Sequence, residues 1–136
     1  MFTKEQLKKL KELLLTMGFS NEDIKSELKG LKKHLESIPE EITLYRIINA
    51  DNKSDINLKQ PGSHYSNSKK DLLDSHTFAA GHGVKKFVIT VKAKKNQIDL
   101  FSTLENNILY PNEQEITLKN KGKDVEIVSV KEIKGH

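Results

Sequence analysis

The chain contains no cysteine and only one arginine, and each shortage argues against a class of function. Without thiols, the protein can form neither disulfides nor thiolate metal sites, and it has no cysteine nucleophile. Proteins dedicated to nucleic acid usually contact phosphates and bases with arginine, so a single arginine disfavours that class. The 23 basic residues exceed the 19 acidic residues only slightly, which allows contact with nucleic acid without requiring it.

Long apolar runs and the common catalytic motifs are also missing. No run reaches membrane-spanning length, and the segment "MFTKEQLKKLKE" has no signal-peptide core, so we expect a soluble protein in the cytoplasm of a producing or host cell. The five histidines lack a tight metal-binding spacing, which predicts no metal site. No glycine-flanked serine or glycine-rich phosphate loop is present, which excludes the usual hydrolase and kinase motifs.

Residues 1–38 show helical periodicity and form a predicted leader of two helices. Thr3 and Gln6 have the spacing of a capping box, and Gly18 is a typical helix end. Ser20 and Asp23 then mark the start of a second helix. Lysines occupy the opposite faces, where solvent is the ordinary environment. The apolar residues that recur at helical intervals are Leu7, Leu10, Leu14, Met17, Ile24, Leu28, Leu31 and Leu35.

After Pro39 the pattern changes to alternating, β-branched segments, which predict strands at 42–48, 85–94, 113–118 and 124–133. A short helix is expected within 66–83, capped at Ser66 or Ser68 and ended by two glycines. The segment 97–101 is predicted to be extended and 102–112 to be rich in turns. The fold class is therefore α+β, with leader helices followed by a mostly antiparallel split sheet over 39–136, in one compact unit with the leader.

Three polar features interrupt these apolar segments. Arg46 lies inside the first strand, where a cation is costly unless it meets an anion. The stretch His64–Ser66 follows a Pro-Gly turn, and Glu113 and Glu115 open a later strand, where alternation would place both on one face. Each feature also has an ordinary interpretation: an ion-paired strand residue, turn and cap residues, and solvent-facing carboxylates of an edge strand.

The order of these features resembles the Arg-Ser-Glu class of mono-ADP-ribosyltransferases, which includes bacterial toxins and host-modifying enzymes of bacteriophages. The resemblance covers about Ile42 to Ile133. It is carried by "LYR", "YSNSKKDLLDSHTFA", "VKKFVITVKAK" and "ILYPNEQEITL". It implies a split sheet that cups a cleft for NAD, which is consumed as a substrate without a metal, and an acceptor protein whose identity the sequence does not give.

The resemblance also implies the catalytic roles. Glu115 would stabilise the sugar cation as nicotinamide leaves, the electrostatic need that glycosidases meet with carboxylates. Glu113 would orient or deprotonate the acceptor, and a glutamate there is associated with arginine acceptors. Arg46 would hold the pyrophosphate or the nicotinamide ribose of NAD through its planar fork.

Four further residues receive binding roles from the same resemblance. Ser66 would hydrogen-bond near the nicotinamide ribose, Tyr65 or Phe78 would pack on nicotinamide, and Tyr110 would face the acceptor protein. The alternative hypothesis is a catalytically degenerate form of the same fold that serves as a protein- or nucleic-acid-binding module, as the lysine-faced leader helices suggest.

Overall fold

A computed structural model describes residues 2–75, 84–111 and 114–133. The described chain is α+β, which confirms the predicted class. Its helices are α1 (Lys4–Thr16), α2 (Asn21–Glu36), α3 (Lys69–Ser75) and α4 (Leu100–Leu109). Its strands are β1 (Glu41–Ala50), β2 (His64–Ser66), β3 (Lys85–Lys94), β4 (Glu115–Thr117) and β5 (Glu126–Glu132). Among these helices, none is long and apolar enough to cross a membrane.

The leader helices start and stop where their local signals predicted. Thr3 and Gln6 cap α1 reciprocally, with each side chain accepting from the other residue's backbone N–H at 3.0 Å. Gly18 follows α1 at φ +97°, a conformation that glycine adopts without strain. Ser20 caps α2 by accepting from the backbone N–H of Asp23. Capping therefore fixes both helix starts within the leader itself.

All five strands belong to one antiparallel sheet in the order β4-β2-β1-β3-β5. β1 and β3 pair along their whole length, from Glu41 opposite Lys94 to Ala50 opposite Lys85. β1 and β2, in contrast, share the single pair Tyr45–Ser66. The sheet thus combines a long three-stranded part with a short two-stranded part, β2 and β4, which carries Tyr65, Ser66 and Glu115.

The leader and the sheet bury their apolar side chains in one common core. Leu14 of α1, Leu35 of α2, Leu44 of β1 and Ile89 of β3 are each at most 1% exposed within it. On the opposite face of the sheet, Ile47 of β1 lies beside Val88 of β3 as a smaller apolar pair.

One predicted element was wrong, and one predicted strand is shorter than expected. Residues 100–109 form α4, where the sequence indicated an extended piece and turns. Asp99 caps this helix by accepting from the backbone N–H and the hydroxyl of Ser102 at 3.0 and 2.9 Å. The predicted strand 113–118 begins only at Glu115, because Gln114 adopts φ +49° and interrupts the extended backbone.

The short inserted helix, α3, agrees with its predicted start. The Ser68 hydroxyl accepts from the backbone N–H of Asp71 at 3.2 Å, which makes Ser68 the cap. The glycine-rich end predicted for this helix lies outside the described residues.

Candidate functional site

Glu115 is the first residue of β4, and its carboxylate is largely buried. Its side chain is 12% exposed. One oxygen, Oε2, lies 2.9 Å from Nδ1 of His64 and accepts from the hydroxyl of Thr117 at 2.9 Å. Within the described part of the chain, Oε1 has no hydrogen-bond partner. The carboxylate is therefore held through one oxygen while the other stays available.

Helix α4 fixes the strand that carries this carboxylate. Asn106 donates to the Thr117 hydroxyl at 3.0 Å, and Asn107 donates to the backbone carbonyl of Glu115 at 2.9 Å. The Thr103 hydroxyl, which is fully buried, accepts from the backbone N–H of Thr117 at 3.0 Å. Three α4 side chains thus replace neighbouring-strand contacts for β4, and such buried, satisfied hydrogen bonds rigidify a site.

Gln114, immediately before the carboxylate, has a strained backbone that is held from outside the strand. Its φ of +49° is uncommon for a residue other than glycine. Its amide donates to the Asp71 carboxylate of α3 at 2.7 Å, and its carbonyl accepts from the Asn67 N–H at 3.4 Å. The backbone thus turns immediately before Glu115, and Glu113 lies outside the described residues.

Arg46 is half-buried and anchors β2 from the opposite face. Its Nη1 donates to the carbonyl of His64 at 2.8 Å, and its guanidinium lies 5.9 Å from the centre of the Tyr65 ring. Within the described residues, its buried Nε has no hydrogen-bond partner. Gly62 lies directly over the guanidinium, since a Cβ on Gly62 would come within 2.5 Å of Arg46 Cζ.

Burial and neighbouring charges shift the pKa values of Arg46 and Tyr65. Burial lowers the pKa of Arg46, and the charges of Tyr65 and Glu115 oppose that shift. Burial raises the pKa of Tyr65 to about 12, and the positive charge of Arg46 opposes it.

The strand register separates the predicted site residues between two faces. Ser66 lies opposite both Tyr45 and Glu115, so Ser66 and Glu115 share one face. Arg46 lies opposite Ile89 on the other face, where Tyr65 also points into the core. The structure thus brings Ser66 next to Glu115 and Arg46 next to Tyr65, with β2 between the two pairs.

The remaining predicted residues are placed as follows. Ser66 is 5% exposed, and its hydroxyl exchanges hydrogen bonds with the backbone of Ser68, where the chain turns into α3. Tyr110 ends α4 and is 52% exposed, near the segment that leads to Glu115. Phe78 lies outside the described residues, as does Glu113.

The sequence interpretation missed His64 and the two asparagines of α4. A signal for His64 existed, because it lies two residues before Ser66 and so on the same strand face. No local signal identified Asn106 and Asn107, since an Asn-Asn pair is more typical of a turn.

Across residues 2–75, 84–111 and 114–133, no three or more histidine, aspartate or glutamate residues are grouped to hold a metal ion. The described residues offer a partly buried carboxylate with one oriented oxygen, beside a serine on the same face and with an arginine on the opposite face of the sheet. The chain matches no known family model, no curated protein sequence and no solved structure.

Proposed function

We propose that the protein is an NAD-dependent mono-ADP-ribosyltransferase with a small version of that family's split-sheet fold. One observation carries the proposal: Glu115 is held through Oε2 by two donors and lies directly opposite Ser66. A carboxylate fixed in this way suits a reaction that develops positive charge on a sugar, because its stabilising charge is oriented before the reaction begins.

In the proposed reaction, the bond between C1′ of the nicotinamide ribose and the nicotinamide nitrogen breaks, and nicotinamide leaves with the electron pair. Glu115 Oε1 stabilises the resulting oxocarbenium-like cation. The acceptor nitrogen of an arginine side chain then forms a bond to C1′, and Glu113 takes the proton that the acceptor loses. Water in place of the acceptor gives NAD hydrolysis.

The other predicted residues complete the proposed site. Arg46 uses one Nη1 donor on the His64 carbonyl, and its remaining Nη donors are offered to the pyrophosphate. Ser66 hydrogen-bonds near the ribose, Phe78 packs against nicotinamide in place of the buried Tyr65, and the exposed Tyr110 contacts the acceptor protein.

A second candidate is a non-catalytic binding module, and the position of Arg46 favours it. Its guanidinium is half-buried on the core face, holds β2 through a backbone carbonyl and lies under Gly62. An arginine used in this way can be structural only. The fold would then serve to present the lysine-bearing faces of α1 and α2 to a protein or nucleic acid.

Nicotinamide release from NAD tests the proposal, with and without an arginine-like acceptor. We expect Glu115→Gln to lower both hydrolysis and transfer by at least about 100-fold, since it removes the stabilising charge. The matched control is Glu126→Gln, which changes an exposed glutamate on β5. Glu113→Gln should suppress transfer while sparing hydrolysis. A wild-type protein that never releases nicotinamide, but binds nucleic acid in a salt-sensitive manner, would refute the enzyme and favour the module.

A further inference from the structure

We propose that His64 is a positioning residue that aims the Glu115 carboxylate, an inference that rests on the proposed function. Nδ1 of His64 lies 2.9 Å from Glu115 Oε2, and the acceptor is a carboxylate, so Nδ1 is the nitrogen that carries the proton. None of the roles implied by the sequence includes this histidine.

The backbone of His64 is fixed on both sides. His64 lies opposite Thr117 in the β2–β4 pairing, and Thr117 donates to the same Glu115 oxygen. On the other face, Arg46 donates to the His64 carbonyl at 2.8 Å. One residue thus connects the two charged groups across the sheet, with its main chain to Arg46 and its ring to Glu115.

This arrangement determines which carboxylate oxygen meets a ligand. The imidazole and the Thr117 hydroxyl both donate to Oε2, which leaves Oε1 as the oxygen that would meet a ligand. The terminal torsion of a glutamate is otherwise broad, so a carboxylate held by Thr117 alone would sample more orientations. A carboxylate that is misoriented near a reacting atom lowers the reaction rate, although the catalytic group itself is still present.

His64 can be mutated without disturbing the surrounding structure. Its side chain is 57% exposed, so replacing it should leave the core unchanged. The amide nitrogen of an asparagine side chain occupies nearly the same place as Nδ1, whereas a leucine offers no donor. His64→Asn and His64→Leu therefore form a matched pair that differs mainly in the hydrogen bond.

The kinetic test compares these variants in NAD hydrolysis. We expect His64→Leu to lower kcat by about 10- to 100-fold with little change in KM, as for a misplaced group. His64→Asn should recover most of that loss. Equal losses in both variants, or wild-type kcat in His64→Leu, would overturn the positioning role. Thermal unfolding of each variant checks that the fold is retained.

A nitrogen NMR measurement on the His64 ring is independent of activity. At a pH where the ring is neutral, the wild type should show the proton on Nδ1, and Glu115→Ala should shift it toward Nε2 because the acceptor is lost. The same ring state in both proteins would overturn the proposal. A wild type that does not turn over NAD would refute the proposed function, while this comparison would still show whether Glu115 is held by His64.

Discussion

Replacing Gly62 with alanine tests the buried contact that fixes Arg46 and, through it, β2. Gly62 has φ +132°, which an L-residue rarely adopts. The new Cβ would lie 2.5 Å from Cζ and Nε of Arg46 and 2.7 Å from Nη2. A methyl group cannot share that space, so either the guanidinium or the turn at Gly62 must move.

The cost of Gly62→Ala follows from two contributions. Backbone strain at such a φ costs about 1–3 kcal/mol. Displacing the guanidinium breaks its charged hydrogen bond to the His64 carbonyl, about 1.5–3 kcal/mol. We therefore expect the free energy of unfolding to fall by about 2.5–6 kcal/mol, a large part of the roughly 5–15 kcal/mol typical of a domain.

Denaturant unfolding measures this loss, and two further variants separate its causes. Gly30→Ala is the control, because nothing lies within 4 Å of a Cβ there and alanine in a helix should add about 0.5–1 kcal/mol. In the double variant with Arg46→Met, the contribution from the guanidinium should disappear while the strain remains. A Gly62→Ala protein within about 1 kcal/mol of wild type, or additive single changes, would refute the packing described for Arg46.

Two further predictions concern neighbouring residues. The pKa of Tyr65 is raised to about 12, above its ordinary value of about 10, so its neutral form is stabilised by roughly 2–3 kcal/mol. That stability is fully present below about pH 10 and is lost as the pH rises through 12. Unfolding at several alkaline pH values, with Tyr65→Phe as control, should show the loss in wild type only; equal losses would contradict it. Gln114→Val should be about 2 kcal/mol less stable than Gln114→Gly, because a β-branched residue is disfavoured at positive φ. If Val were the more stable in thermal unfolding, the extended strand predicted from the sequence would be correct after all.

Local signals explain why the leader could be predicted. Thr3 and Gln6 cap each other's backbone N–H, and Ser20 accepts from the N–H of Asp23, so one turn of sequence contains each interaction. The cap at Ser68 is local in the same way.

Helix α4 was not predicted because its asparagines hydrogen-bond to residues outside the helix. Asn106 and Asn107 have low helix propensity, but they donate to Thr117 and Glu115 on a strand that comes later in the chain. The turn at Gln114 is likewise held by Asp71, which lies 43 residues away. Tertiary hydrogen bonds overrode local preference in both places.

The candidate site could be predicted from the sequence only in part, for a similar reason. Alternation along one strand correctly places Glu115 and Thr117 on one face, where their side chains bond at 2.9 Å. Whether Arg46 shares that face depends on the register of β1 with β2, and a slip of one residue reverses it. Here Tyr45, and not Arg46, lies opposite Ser66. The contact between His64 and Glu115, 51 residues apart, depends on register in the same way.

A crystal structure with a non-hydrolysable NAD analogue tests the central proposal most directly. The account predicts the nicotinamide ribose on the face shared by Ser66 and Glu115, with a ribose oxygen within hydrogen-bond distance of Glu115 Oε1 and the pyrophosphate directed toward Arg46. An analogue that does not bind at saturating concentration, or that binds with its ribose away from Glu115, would contradict it.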